Sequence, residues 1–221
     1  MSVSEIKEIK GTPKEYASVV STPEAHPDVP GLLYWPRFIS PDGTKILTGI
    51  MSRSTSWVGV TNSTKSRRVI HYGYKYDYTR TMDPVECDPI PAGLAIITEM
   101  RHIAPLFEGV ETPRSSVSAF DQLIINEYLH GQWIPAHIDH PSQFGDTVFC
   151  VTLGSGTTMT FTHPEGRVVH QYVTPGSAYA MTGDARYVWK HQIEAKKSDI
   201  VNGVKVPRGV RYSLTFRTIR K

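Results

Sequence analysis

From residue 116 onward the chain breaks into short runs, rich in β-branched and aromatic residues and closed by Gly, Pro or Asp. They read "SAFDQLIINEY", "DTVFCVTLG", "TTMTFTHPEG", "RVVHQYVTPG", "SAYAMTG", "RYVWKHQI" and "GVRYSLTFRTI". Runs of this length and composition predict strands, so residues 116–221 form a sheet-rich core. The "HPEG" between "TMTFT" and "RVVHQYV" is a hairpin signal, and so is the Asn202-Gly203 pair. Roughly seven or eight strands at regular spacing point to a sandwich or barrel of the jelly-roll kind.

Upstream the period changes. In "FISPDGTKILTGIMSRS", Ser40 is placed as an N-cap and Pro41 at the first helical position, followed by a stripe of Ile46, Leu47, Ile50 and Met51. A second helix is expected in "GLAIITEMRHIAPLFEG", where Leu94, Ile97, Met100 or Arg101, Ala104 and Phe107 recur at three to four residues between Gly93 and Gly109. Two helices before a jelly-roll core make an α+β fold. Residues 1–30 are polar and carry Pro13, Pro23, Pro27 and Pro30, which predicts a loosely ordered arm. Residues 31–221 then form one domain, with helices and a covering segment over 31–115 and the core over 116–221. A total of 221 residues, 39% hydrophobic and 20% charged, is enough for one domain with a real core.

Composition narrows the setting. Cys87 and Cys150 have no CxxC or zinc-ligand spacing, so a reducing compartment is expected. No apolar run approaches the roughly 20 residues of a membrane span, and the N-terminus lacks a signal-peptide core. Cytoplasm or nucleus follows as the expected location, with no membrane partner. A formal net charge of +3 permits a polyanionic partner without demanding one.

The chemistry concentrates after the first core strand, in "LIINEYLHGQWIPAHIDHPS". His137 and Asp139 form an H-x-D pair, and "RYVWKHQI" supplies His191 from a distant strand. Two imidazoles and one carboxylate on one face of an octahedron leave three adjacent positions open, the arrangement that suits non-haem Fe(II) with a bidentate cosubstrate and O₂. Alone, an H-x-D equally suits a satisfied surface pair. In "RYSLTFR", period-two alternation puts Arg211, Ser213, Thr215 and Arg217 on one face and Tyr212, Leu214 and Phe216 on the other. If the Arg face points inward, each buried guanidinium needs an anion, and a dicarboxylate such as 2-oxoglutarate would meet that need. Asn126 and Tyr128 share one face of their strand and offer further donors.

These motifs together resemble one family. "INEYLHGQWIPAHID", "VTLGS", "WKHQI" and "RYSLTFR" are similar to the N-x-Y, H-x-D, S-L-G, distal-His and R-x-[NS]-x-T-F-R pattern of AlkB-type Fe(II)/2-oxoglutarate dioxygenases, over about Gly31 to Lys221. "RRVIHYGYKYDY", "HPEGRVV" and "MTGDARYVWKH" look closest to the AlkB domain of eukaryotic enzymes that hydroxylate a wobble uridine in tRNA, a domain flanked there by an RNA-recognition motif and a methyltransferase. Neither flank is read in these 221 residues. The resemblance implies a double-stranded β-helix, with His137, Asp139 and His191 holding Fe(II). It implies that Arg211 and Tyr128 take the distal carboxylate of 2-oxoglutarate and that Arg217 and Asn126 take its metal-side carboxylate. Ser213 and Thr215 complete that pocket, and His140 has no role. Thr152 stands where the family often has Ser, and Pro141 where the bacterial repair enzyme has an acid near its substrate base. The second departure bears on alkyl-base specificity.

The substrate reading rests on "NSTKSRRVIHYGYKYDYTR", where Lys65, Arg67, Arg68, Lys75 and Arg80 interleave with Tyr72, Tyr74, Tyr76 and Tyr78. Cations meet phosphates while aromatic faces stack bases, although an alternating strand with a packed Tyr face and a wet basic face fits the same letters. In the family this segment is a nucleotide-recognition lid, which implies a nucleic-acid substrate, RNA favoured over DNA, with Arg67, Arg68, Tyr74 and Tyr76 as contacts. Arg186, just ahead of His191, is expected at the pocket mouth. The activity expected is hydroxylation or oxidative demethylation by a monomeric enzyme. The alternatives are an oxygenase acting on a protein or small molecule, and a catalytically silent binding module.

Overall fold

Every residue of the last strand is buried, the two guanidiniums included, so a layer must cover each of its faces. In the computed structural model, which describes residues 21–63, 66–79, 82–99, 103 and 120–220, helices cover one face and a second sheet the other. The strand lies inside an eight-stranded antiparallel sheet ordered β1 (Glu24–Ala25), β2 (Leu32–Trp35), β12 (Ala178–Met181), β9 (Val148–Gly154), β16 (Arg211–Arg217), β7 (Gln122–Tyr128), β4 (Arg68–Tyr72), β3 (Val58–Gly59). Facing it is a four-stranded sheet ordered β11 (Val168–Val173), β10 (Thr157–Thr162), β13 (Lys190–Ile193), β8 (Ile134–His137). Among the described residues two ribbons complete the strands, β14 (Ser198–Val201) with β15 (Val204–Pro207) and β5 (Tyr74–Lys75) with β6 (Val85–Glu86).

Two apolar clusters follow from the alternation. Phe149, Val151, Leu153, Leu214 and Phe216 pack against helix α1 (Pro41–Arg53) and helix α2 (Ala92–Glu99) through Leu47, Met51, Leu94 and Ile97. One residue out of phase, Val148, Cys150, Tyr179 and Met181 face the smaller sheet, where Met159, Phe161 and Ile193 meet them. Each fully buried side chain of this size contributes about 1.5–3 kcal/mol. A one-residue slip of β16 would drive two arginines into the helices, so the register is strongly specified.

Local signals match most expectations. Ser40 Oγ accepts from Gly43 N at 3.1 Å, capping α1 behind Pro41. Ile46 is 47% exposed, however, so the apolar stripe of α1 is narrower than the sequence predicts. Helix α2 starts at Ala92, one residue before Gly93, and its expected continuation through Met100, Ala104 and Phe107 falls outside the described residues. The His163–Gly166 hairpin joins β10 to β11. Asn202 and Gly203 both have positive φ (50° and 80°) in the two-residue turn between β14 and β15.

Two expectations are corrected. Residues 24–30 are not a loose arm: β1 pairs with β2, Val29 is fully buried, and Pro30 O accepts from Ala185 N at 2.9 Å. Residues 1–20 lie outside the described residues. "RYVWKHQI" is not one strand either. Arg186 and Tyr187 end a short helix, α3 (Gly183–Tyr187), and β13 starts only at Lys190. The N–H groups of Val188 and Trp189 both return to Asp184 O, closing a turn that carries Ala185 and Arg186 inward.

Candidate active site

His137 ends β8 and His191 lies directly opposite it on β13, so cross-strand pairing brings the two rings to 4.3 Å between centroids. Asp139 is two residues further on, and its carboxylate joins the same face: one ligand atom from each of His137, Asp139 and His191 lies within 4.8 Å of the others. His137 Nδ1 meets Pro135 O at 2.8 Å. Because a carbonyl only accepts, Nδ1 carries the proton and Nε2 presents a lone pair to the site.

Burial sets the charge states. It pushes His191 down to about 3, with His137 adding repulsion, and it lowers His137 as well, so both imidazoles are neutral donors near pH 7. Burial opposes ionisation of Asp139, but Arg217 and then His191 outweigh it and hold the carboxyl well below the usual carboxylate range. Arg217 Nη2 and Nε reach the two Asp139 oxygens at 3.1 and 3.3 Å. The result is a neutral-imidazole, ionised-carboxylate donor set, which fits Fe(II).

The triad opens into a cavity of about 410 Å³ between the two sheets. Its walls are apolar at Ile124, Val148, Met159, Met181 and Ile193, and Ser213 and Thr215 line it as well. Arg211 lies in the wall at 3% exposure; its Nη2 donates to Thr152 Oγ1 at 3.0 Å, its guanidinium sits 5.5 Å from the Tyr128 ring, and its Nε has no acceptor among the described residues. A buried guanidinium with an orphaned N–H is a fitting receptor for a carboxylate such as that of 2-oxoglutarate.

The covering segment divides. Arg67, Tyr76 and Tyr78 line the cavity. Arg67 Nε donates to Asn126 Oδ1 at 3.0 Å and its guanidinium lies 5.5 Å from the Tyr78 ring. Tyr76 packs on Tyr78 and Phe144 at 5.1 and 5.4 Å. Arg68 instead pairs with Glu127 at 2.6 Å and lies over Trp57, on the opposite face of the sheet. Tyr74 bonds Glu86 at 3.2 Å and does not line the cavity. Lys65 and Arg80 fall outside the described residues. Arg186 is not at the cavity mouth: it is 2% exposed and turned into the protein.

Several cavity groups escape the motif reading. The Tyr78 hydroxyl is buried without a partner among the described residues, and burial raises its pKa to about 12. Behind it, His71 accepts from Tyr76 N at 3.4 Å and is pushed down to about 4 by burial and by Lys75. Tyr179 lines the wall beside Cys150, and burial raises its phenol well above the ordinary range. His140 also lines the cavity, with Nδ1 at 3.1 Å from Ser142 Oγ, outside the three-donor group. Only alternation in "SAYAM" and "DTVFC" hinted at the inward positions of Tyr179 and Cys150.

Comparison with known proteins agrees with this geometry. The model of the 2OG-Fe(II) oxygenase superfamily matches residues 46–217. The tRNA (carboxymethyluridine(34)-5-O)-methyltransferase ALKBH8 of Mus musculus is 35% identical over 215 residues, covering 87% of this chain and 31% of that protein. The uncharacterized protein L905 of Acanthamoeba polyphaga mimivirus is 31% identical over 188 residues, covering 83% and 82%. The alkylated DNA repair protein ALKBH8 homolog of Arabidopsis thaliana is 29% identical over 223 residues, covering 91% and 62%. The chain spans about a third of the length of the mouse relative. Among solved structures, that of OsALKBH1 superposes with a TM-score of 0.63 at 13% identity, covering 90% of this chain and 100% of that one. A Pseudomonas putida prolyl-4-hydroxylase gives 0.55 at 12%, covering 86% and 93%. At such identities these two establish the double-stranded β-helix fold.

Proposed function

The chain belongs to the 2OG-Fe(II) oxygenase superfamily and is a 2-oxoglutarate-dependent dioxygenase, and we propose that it oxidises a C–H or N-methyl group on a nucleic acid, RNA in preference to DNA, as a monomer. The observation that carries the substrate reading is that Arg67, Tyr76 and Tyr78 share one cavity with His137, Asp139 and His191. A cation and two aromatic rings beside the reacting centre suit a phosphate and a base drawn out of its stack. The names of the mouse and Arabidopsis relatives, one a tRNA-modifying enzyme and the other a DNA-repair protein, support the class.

In this reading His137 Nε2, Asp139 and His191 hold Fe(II), while Arg211 with Tyr128 takes the distal carboxylate of 2-oxoglutarate. Arg217 is already paired with Asp139, so at the metal-side carboxylate it supplies charge more than a free fork. Asn126 Oδ1 accepts from Arg67 Nε, which leaves its amide N–H to offer there. Once bound, iron and 2-oxoglutarate supply the oxidation that turns O₂, 2-oxoglutarate and a substrate C–H into succinate, CO₂ and an alcohol, which on an N-methyl group breaks down to formaldehyde. The apolar walls exclude water around that centre. Residues 21–220 act as one catalytic unit.

The test is incubation with Fe(II), 2-oxoglutarate and, separately, mixed tRNA, other RNA and alkylated DNA, reading succinate and the nucleosides by mass spectrometry. Stimulation by RNA with a mass change in one nucleoside is expected. Stimulation by a protein or small molecule alone would replace this reading.

A further inference from the structure

Arg186 is among the largest fully buried side chains of the protein, yet its guanidinium pairs with no acid in any described ion pair. It donates instead to backbone carbonyls: Nη1 to Asp139 at 2.7 Å, Nη2 to His140 and Phe144 at 3.3 Å each, and Nε to Gly145 at 3.2 Å. These acceptors lie at the two ends of the loop that follows β8, so one planar group closes the loop on itself. The first of them is the carbonyl of a ligand residue. Arg186 itself stands on α3, five residues before His191.

Asp139 reaches the metal face from a loop rather than from a strand, and no sheet ladder holds its carbonyl in place. His140 O also accepts from Phe144 N at 3.1 Å, but among the described residues the carbonyls of Asp139, Phe144 and Gly145 have no other donor. A carbonyl shut away from water without a donor costs free energy, and three around one turn would favour another loop conformation. Five N–H donors in a fixed plane can serve all four at once; a lysine offers three donors from one point. The Asp139 carboxylate is paired separately by Arg217, so Arg186 acts on the loop backbone and not on the ligand oxygens. We propose that Arg186 is the positioning residue of the metal centre: through these four carbonyls it ties the loop carrying Asp139 to the segment carrying His191 and thereby fixes the spacing of the two ligands.

The proposal rests on the ligand assignment above, and the experiment separates the two. Co(II) is titrated into the apoprotein without 2-oxoglutarate and followed by ligand-field absorption, at a temperature where circular dichroism shows each variant folded. Outer partners of metal ligands typically govern 10- to 100-fold in affinity. Arg186→Met is expected to lose that much, and Arg186→Lys, with the charge but not the fork, about tenfold. Asp199→Asn, which breaks the buried pair between Asp199 on β14 and Arg208 just after β15, is the control: it lowers the melting temperature and leaves Co(II) affinity unchanged, as would Arg186→Met if its role were stability alone. Parent-like Co(II) affinity in folded Arg186→Lys or Arg186→Met overturns the proposal, as does failure of both variants to fold at any temperature. Parent-like binding in His191→Ala would overturn the ligand assignment instead.

Discussion

Replacing Arg211 by Met should leave the apoprotein at least as stable as the parent while sharply weakening its response to 2-oxoglutarate. Arg211 is 3% exposed and its Nε has no acceptor among the described residues. The apo fold therefore carries the desolvation of a charge that, among those residues, Thr152 Oγ1 and the Tyr128 ring offset. Exchanging such a group for an apolar one of similar volume is commonly neutral or stabilising by about 1–4 kcal/mol. The cosubstrate complex should respond in the opposite direction. A hydrogen bond to a charged group contributes about 1.5–3 kcal/mol, and losing both arms of the fork leaves a carboxylate unpaired in the cavity, at about 2–5 kcal/mol or more. At about 1.4 kcal/mol per decade this is roughly 30- to 3,000-fold in apparent affinity. Arg211→Lys keeps a point charge, loses one arm, and should fall by about 10- to 100-fold. Thermal unfolding of the Co(II)-loaded protein with and without 2-oxoglutarate reads both arms. At a ligand concentration 100 times its Kd the parent gains about 2.7 kcal/mol, a shift that falls to about 0.9 kcal/mol or less in Arg211→Met. A large fall in apo stability together with a parent-like cosubstrate shift would refute the reasoning.

The metal site predicts that His137→Ala, Asp139→Ala and His191→Ala each abolish succinate formation, while His140→Ala, outside the three-donor group, does not; a dead His140 variant beside an active His191 variant would reverse the assignment. In the covering segment, RNA binding should weaken with salt by about 0.7 logarithmic units per phosphate contact on a single strand, and Arg67→Ala should shallow that slope while Arg68→Ala, facing Glu127, leaves it unchanged. Tyr76→Ala should cost about 1–3 kcal/mol of binding if a base stacks there, and Tyr74→Ala little, as measured by fluorescence titration with a labelled RNA. Away from the site, burial disfavours the Asp199 carboxylate, but its bidentate bonds to Arg208 at 2.6 and 2.7 Å lower its pKa in the folded state. A depressed carboxyl contributes stability above its unfolded value of about 3.9 and loses it as pH falls through the folded value. Asp199→Asn should therefore lower stability at pH 7 by about 3–5 kcal/mol and flatten the acid limb of the stability profile; an unchanged limb would exclude the pair as its source.

Part of the triad was readable because it is local: His137 and Asp139 are two residues apart, whereas His191 comes from a distant strand and joins them only through the β8–β13 pairing. Alternation in "RYSLTFR" put Arg211 and Arg217 on one face but left open which way that face points, and the two sheets turn it inward. Arg186 was not readable in the same way. It sits on a five-residue helix, too short for a helical period to register, and its acceptors are carbonyls, which carry no letter in the sequence. A buried Arg beside an Asp normally suggests an ion pair, and here the pair belongs to Arg217. The covering segment failed for a different reason. The interleaved cations and tyrosines read as one surface, but extended backbone puts neighbouring residues on opposite faces, so Arg67, just before β4, and Arg68, its first residue, part company. Tyr72 joins the helix-side cluster, and only beyond β5 does the chain bring Tyr76 and Tyr78 back over the cavity. A basic and aromatic strand is therefore two half-surfaces, and which half meets a ligand is decided by the strand beside it. Here that strand is β7, where Asn126, on the cavity face, takes Arg67, and Glu127, on the other, takes Arg68.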